Sequence, residues 1–216
     1  CASDSDADPD PGSVGDNGNG GNSAQFDRGA MLAHWSDRII IPAYQDFLAQ
    51  HETLKTAFSD FSGAPDAQKL TALRAQWRET YKSWQRIAMF EVGPAETLGL
   101  RLNLNTYPTD PVLIDNHVAG GSYDLDLPSN RDAKGFPALD YLFNGMAESD
   151  EALLTAFASE AGYTQYTNAL LEDIDQRVTE VLAGWEGGFR DTFVANDGAS
   201  ATASVDRYVN EIGRAH

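Results

Sequence analysis

Apolar residues recur at helix-like intervals over two long stretches, residues 27–61 and residues 66–90. The turn signal Ser62-Gly63-Ala64-Pro65 separates the two stretches. Pro42 lies inside the first one. It should kink or divide that helix near Ile40-Ile41, because proline removes a backbone donor and clashes with the preceding turn. A connection this short predicts that the two helices run antiparallel.

The C-terminal part of the chain shows the same periodicity in shorter pieces. Helices are predicted over residues 150–160 and 163–182, and a last helix is predicted to open at Ala199-Ser200. Neither the alternation of a β-strand nor the spacing of a β-α-β unit stands out. The sequence therefore predicts an all-α protein, an up-and-down helical bundle, over residues 26–216.

A short apolar stretch, residues 134–145, lies between these two parts and reads as a buried helix. Leu139 and Phe143 follow the spacing of one helix face. Pro137 suits the first helical turn, because its missing N–H would have no intrahelical partner there. Gly145 fits a C-terminal stop with positive φ.

Asp140 shares a helix face with Pro137, which lies three residues earlier in the sequence. Since the neighbouring apolar residues draw this helix into the core, Asp140 should lie at or near the inner surface, with Pro137 facing the same pocket. A carboxylate in such a place needs water, a donor or a cation. The expected donors are Tyr107, Arg101, Lys134 and the backbone N–H groups at the start of the helix.

This stretch resembles the signature of the imelysin-like family, in which Gly-x-His-x-x-Glu opens a helix and is followed by an apolar run and a glycine. Five positions match that frame: Gly135, Phe136, Leu139, Leu142 and Gly145. Pro137 stands in place of the histidine, and Asp140 stands in place of the glutamate. The resemblance therefore implies a metal pair that is half lost, because proline has no side-chain lone pair and aspartate is one methylene shorter than glutamate.

Three other segments resemble the same family: residues 41–47 its first helix, residues 90–96 the turn after its second helix, and residues 107–115 its aromatic-Pro-x-Asp segment. Imelysin-like chains continue into a second helical half. Residues 26–216 therefore correspond to the first part of an imelysin-like chain, which has a longer two-bundle fold. Whether the chain is a fragment or a short form stays open. The family also implies a periplasmic or surface protein linked to iron uptake.

Charge narrows the classes of partner. The chain carries 33 acidic and 15 basic residues, with a formal net charge of −18. This balance argues against nucleic acid, because phosphate neutralisation needs clustered Lys and Arg. It also argues against electrostatic docking on anionic lipid. Cation binding and a merely solubilising surface both stay open.

The N-terminal segment indicates a lipoprotein. Cys1 is the single cysteine, so no disulfide can form within the chain, and a cysteine at this position is typical of a processed bacterial lipoprotein that carries lipid there. The alternative is an arbitrary chain start. Residues 1–25 are acidic and rich in Gly, Ser and Asn, which predicts a flexible tether. Ala2 after the cysteine favours the outer membrane, by analogy with lipoprotein sorting.

Catalysis has little support in the sequence. A zinc peptidase needs about three protein ligands, and its helical signature places two histidines four residues apart. The histidines are scattered instead: His34, His51, His117 and His216. No Gly-x-Ser-x-Gly nucleophile motif occurs. A metallopeptidase is therefore the least favoured reading, and the chain is predicted not to be an enzyme.

A binding protein is the favoured class. The metal candidates are Asp140, Glu91 and Glu96, and further pocket candidates are Tyr107, Asp110, Asp115, His117 and Arg101. Sites rich in carboxylate oxygens, or sites that combine histidine with carboxylates, suit iron or another divalent cation. The alternative is that these carboxylates cap helices and pair with Arg101 or Arg131. We expect two kinds of partner: the membrane, through a lipid on Cys1, and iron-uptake proteins of the cell envelope. A structural or protein-interaction module without metal is the competing hypothesis.

Overall fold

The computed structural model describes residues 26–214, and every regular element within that range is helical. Helix α1 spans Arg28–Trp35 and helix α2 spans Ile41–Gly63, joined by a π-helical turn at Ser36–Ile40. The predicted division near Ile40-Ile41 is confirmed. Pro42 is the second residue of α2, which directly follows the π-helical turn, and the regular i→i−4 hydrogen-bond ladder is already interrupted there.

Helix α3 spans Ala67–Ile87 and forms the long hairpin with α2 that the sequence predicts. Its N-cap is Asp66, whose carboxylate accepts a hydrogen bond from the Lys69 backbone N–H at 2.8 Å. The buried Thr80 hydroxyl donates to the Gln50 carbonyl at 3.2 Å and ties the two helices together.

Short helices fill the middle of the chain: α4 (Pro94–Leu98), α5 (Leu100–Leu104), α6 (Pro111–Gly120), a 3₁₀ turn (Pro128–Ala133) and α7 (Gly135–Asp140) with its π-helical continuation (Tyr141–Gly145). The final part contains α8 (Asp150–Ser159), α9 (Ala161–Gly184), a π-helical turn (Trp185–Phe189), α10 (Arg190–Ala195) and α11 (Ser204–Arg214). The prediction of an all-α helical bundle is confirmed.

Two local predictions are wrong. The last helix does not open at Ala199-Ser200, because Ser200 closes a turn by accepting the Ala203 N–H at 2.8 Å and the helix starts at Ser204. Gly145 does not adopt positive φ, because the π-helical turn runs through it and Met146 N–H bonds back to the Tyr141 carbonyl at 2.9 Å. Positive φ occurs instead at Gly135, where it is 71°.

The core forms where α2, α3 and α7 meet. Phe47, Trp84 and Phe136 are fully buried, and their ring centroids lie 6.0–6.4 Å apart. Aromatic packing at this spacing adds to the hydrophobic stabilisation from burial. Helix α7 is therefore held inside the bundle, as its apolar spacing predicts.

Candidate functional site

The site that the sequence singles out is built on α7, whose first five residues are all buried. Gly135 makes this position possible. A Cβ at Gly135 would lie 2.2 Å from the Leu104 carbonyl oxygen, so α7 can press directly on the backbone of α5 only because this residue has no side chain. Glycine also accepts the positive φ that starts the helix here.

Lys134, which directly precedes α7, is fully buried and tied to another part of the bundle. Its Nζ donates to the Leu125 carbonyl and lies 3.6 Å from a carboxylate oxygen of Asp173 on α9. Arg177 pairs with the other oxygen of Asp173 at 2.8 Å and with Asp126 at 2.7 Å. Burial lowers the pKa of the Lys134 ammonium, and the nearby Asp173 opposes that shift. Lys134 is thus engaged with α9 and does not serve Asp140.

Asp140 is half-buried at the end of α7, and Pro137 is buried one turn earlier. The Asp140 carboxylate accepts a hydrogen bond from the side-chain amide of Asn144 at 2.8 Å. The expected donors Arg101 and Lys134 bond elsewhere. Asn144 is not among the donors that the sequence predicts, although its i,i+4 spacing from Asp140 makes the two residues neighbours on the helix surface.

Tyr107 is the predicted pocket residue that the structure does bring close to Asp140. Desolvation raises the pKa of the Tyr107 phenol, and the neighbouring Tyr81 and the charge of Asp140 add to the shift. Tyr81 in turn stacks on Trp77, with ring centroids 5.3 Å apart. Tyr107 remains 58% exposed, so part of this aromatic residue lies at the surface.

The candidates on α6 have local structural partners. Asp110 caps the helix by accepting the N–H groups of Val112 and Leu113 at 3.0 and 3.1 Å. This agrees with the alternative that the acids of this region cap helices. Asp115 accepts the Tyr141 hydroxyl at 3.3 Å. The ring of His117 lies 5.7 Å from that of Tyr123 and 5.6 Å from that of Tyr166.

Glu91, Glu96 and Arg101 gather at a different place, under α11. Both carboxylate oxygens of the buried Glu91 accept the Arg101 backbone N–H at 3.2 Å, whereas the Arg101 guanidinium donates to Glu211. Glu96 is exposed and pairs with Arg207. Burial raises the pKa of the Glu91 carboxyl to about 7. The hydrogen bond from the Arg101 backbone N–H and the positive charge of Arg101 oppose this rise, whereas the negative charges of Glu211 and Glu96 add to it.

The predicted metal ligands therefore fall at two places on the bundle, Asp140 on α7 and Glu91 with Glu96 under α11. Within residues 26–214, no three His, Cys, Asp or Glu side chains are grouped so that they could hold a metal ion. Asp140 offers a single carboxylate, which already accepts a hydrogen bond from Asn144. Arg131, the other arginine predicted to pair with these acids, has a buried Nε without a hydrogen-bond partner among the described residues. The residues present do not fit the three or four protein ligands of a tight transition-metal site.

The remaining histidines do not add ligands to this region. His34 is exposed on α1. His51 is fully buried on α2, where its Nδ1 lies 3.5 Å from Asp175 and its ring stacks on Phe47. The proximity of His51 contributes most to lowering the pKa of the Asp175 carboxyl. His216, Cys1 and the predicted tether lie outside the described residues.

The sequence model of the imelysin family, peptidase M75, matches residues 40–214. The chain belongs to the imelysin family. It is 31% identical over 74 residues to iron-regulated protein A of Synechococcus elongatus (strain ATCC 33912 / PCC 7942 / FACHB-805), a match that covers 34% of this chain and 21% of that protein.

Two solved structures share the imelysin fold. One is provisionally assigned as an iron-regulated protein A precursor from Parabacteroides distasonis ATCC 8503. It superposes on this chain with a TM-score of 0.68 and is 19% identical in sequence, and the match covers 90% of this chain and 56% of that one. The other, an imelysin-like protein from Psychrobacter arcticus 273-4, gives a TM-score of 0.66 and 19% identity over 87% and 59% of the two chains. At this identity the likeness shows the fold alone.

The chain spans little more than half the length of these solved relatives. Among the helices of residues 26–214, none combines the length and the apolar character that crossing a bilayer requires.

Proposed function

We propose that this imelysin-family protein is an envelope-anchored, non-catalytic binding protein with a role in iron uptake and a weakened metal site on α7. One observation carries the weakened site. A buried proline, Pro137, occupies the position of the motif histidine, and the remaining carboxylate of Asp140 is held by an amide of its own helix rather than by a second metal ligand. The iron link is supported by family membership and by the curated relative, which is named for iron regulation.

A gain-of-ligand experiment tests the weakened site. Replacing Pro137→His together with Asp140→Glu restores the family's motif pair, and we expect at least about a tenfold gain in Zn²⁺ or Fe²⁺ affinity by calorimetry, about 1.4 kcal/mol of binding free energy. The matched control is Gln176→His with Thr179→Glu, which creates the same i,i+3 pair at two exposed positions of α9. An equal gain in the control would show that any helical His-x-x-Glu pair suffices. Micromolar binding by the unmodified protein that is lost in Asp140→Ala would show that the site is not degenerate.

The non-catalytic part of the proposal has its own test, because the family is also named as a peptidase family. Purified protein incubated with zinc and a mixed peptide substrate should release no new amino termini. Hydrolysis that persists in independent preparations and is abolished by Asp140→Ala would reject this part. The scattered positions of the acids and histidines support it.

Anchoring rests on Cys1, a residue outside the described range. Mass spectrometry of protein from its native host should show an acylated N-terminal peptide, with enrichment in the outer membrane fraction. A free thiol on Cys1 in that host would reject the anchor.

A protein-interaction module without metal is the second candidate, and exposed apolar side chains in the middle of the chain favour it. Four of the large exposed apolar side chains lie within residues 102–127: Leu102, Tyr107, Val112 and Leu127. A photo-crosslinking residue at position 107 should then give a discrete adduct in the host, whereas the same residue at exposed position 180 should not. Equal adducts at both positions would count against this module.

A further inference from the structure

A groove of about 560 Å³ lies where helix α4 packs against helix α9. Pro94 and Leu98 of α4 line it from one side, and Ala183 and Gly184 at the end of α9 line it from the other. The ring of Phe189, in the π-helical turn that follows α9, completes the lining. This volume is in the range of pockets that bind small molecules, roughly 300 to 1,000 Å³.

Two glycines allow the walls of the groove to pack closely. A Cβ at Gly184 would lie 2.8 Å from the Cγ atom of Pro94, and a Cβ at Gly93 would lie 2.1 Å from the Phe189 ring. Both rings therefore lie directly on backbone that carries no side chain. The Phe189 ring also packs edge-on against the fully buried Trp185, with centroids 4.9 Å apart. The groove is thus formed by packing within the bundle before any ligand binds.

The polar groups of the groove are few, and one of them is a carboxylate. The Thr97 hydroxyl already donates to the backbone carbonyl one turn earlier, at 2.9 Å. Glu180 is the only charged residue among the described lining residues. Its carboxylate has no hydrogen-bond or ion-pair partner in the part of the chain that the structure describes. Arg177, the one basic residue of α9, is paired with Asp173 and Asp126 at 2.8 and 2.7 Å.

This combination of features defines a class of ligand. Apolar walls favour an apolar body, because covering them removes apolar surface from water. The carboxylate of Glu180 attracts a positive group and repels a negative one, and the net charge of −18 raises the concentration of cations near the protein. We propose that the groove binds a small organic cation, an amine whose ammonium group faces Glu180 and whose apolar body lies against Leu98 and Phe189. This site is independent of the proposed metal role of α7.

Three matched probes test the groove on the intact protein. Phenylbutylamine, phenylbutanol and phenylbutyrate share one apolar body and end in an ammonium, a hydroxyl and a carboxylate group. In NMR titrations without added metal, we expect shifts of the backbone amides of residues 94–98 and 180–189, with a dissociation constant of a few millimolar for the amine. At low salt the amine should bind about threefold more tightly than the alcohol, because an exposed carboxylate gives a modest and screened attraction. The carboxylate probe should bind most weakly.

Two pairs of variants assign the binding to this groove. Glu180→Gln should abolish the preference for the amine over the alcohol and leave the affinity for the alcohol unchanged, because it removes the charge and keeps the apolar walls. Its matched control, Glu151→Gln, neutralises an exposed acid of α8 and should keep the preference. Ala183→Phe fills the groove and should weaken all three probes by about tenfold or more. The same change at the exposed Ala72 of α3 should leave their affinities unchanged.

Several results would overturn the proposal. One is the absence of shifts in the groove at probe concentrations several times the expected dissociation constant. An unchanged preference for the amine in Glu180→Gln would be another, and this comparison decides the matter even if Ala183→Phe fails to fold. Shifts of the same amides that grow with protein concentration alone would show that a second copy of the chain covers the groove. A protein adduct from a photo-crosslinking residue at position 180 would show that the occupant is a protein.

Discussion

Gly135 lies against the Leu104 carbonyl oxygen so closely that an added Cβ would approach it to 2.2 Å. The atoms in the way belong to the backbone of α5, which cannot rotate aside as a flexible side chain would. Gly135 also has a φ of 71°, a conformation that residues with a side chain rarely adopt. The position of α7 in the bundle thus depends on the absence of a side chain at one residue.

Replacing Gly135→Ala should destabilise the fold strongly. Strain at positive φ together with a backbone clash is expected to lower the free energy of unfolding by about 3 kcal/mol or more, measured by urea denaturation. The control is Gly120→Ala at the end of α6, where φ is not positive and an added Cβ would meet no atom within 4 Å outside its own helix turn and chain neighbours. That variant should stay within about 0.5 kcal/mol of the unmodified protein. Equal effects of the two changes would contradict the close approach of α7 and α5.

The sequence predicts α7 well because its burial follows from local spacing. Leu139 and Phe143 recur on one face, and both are fully buried. The role of the glycines is predicted less well. Gly145 and Gly135 flank the helix equally in the sequence, and only the packing of α5 decides which of them needs positive φ.

The partners of charged side chains are the part of the site that sequence reasoning could not supply. Asp110 caps α6 as predicted, because capping depends on residues two and three positions away. Lys134 pairs with Asp173, which lies far along the chain on α9. Such partners depend on how helices distant in sequence meet, and one sequence carries no direct signal for that.

Lys134→Met is predicted to destabilise the bundle. Removal of the buried ammonium leaves the Asp173 oxygen that faces it unpaired and leaves the Leu125 carbonyl with only the longer bond from Arg177, at 3.4 Å. The expected cost is about 3 kcal/mol in unfolding free energy. Lys82→Met is the matched control, since Lys82 is exposed and, within residues 26–214, its one ion pair is with Glu79 on its own helix at 2.7 Å. Its expected effect is below about 0.5 kcal/mol. A Lys134→Met variant as stable as the control would show that this buried ion cluster contributes nothing.

Asp140 should contribute modestly to stability. Asp140→Ala removes the acceptor of the Asn144 amide, and we expect a loss of about 1 kcal/mol by thermal or urea unfolding. Asp140→Asn keeps an acceptor oxygen and should lose less than half of that amount. A much larger effect of the asparagine variant would mean that the negative charge itself matters at this position, which would favour a bound cation.

Glu91→Gln should change how global stability depends on pH. The folded-state pKa of Glu91 is raised to about 7, above the ordinary value of 4.5 that applies to the unfolded chain, so the folded state binds this proton more tightly. The unmodified protein should therefore lose stability as pH rises from about 4.5 to 7, by at most about 3 kcal/mol from this group, and should regain it on acidification. The glutamine variant cannot lose a proton at this position and therefore lacks that loss. Relative to the unmodified protein, its unfolding free energy should increase from pH 4.5 to about pH 7 and stay constant above that value. Urea unfolding at several pH values measures it. A constant difference across the range would mean that Glu91 titrates alike in the folded and unfolded chains.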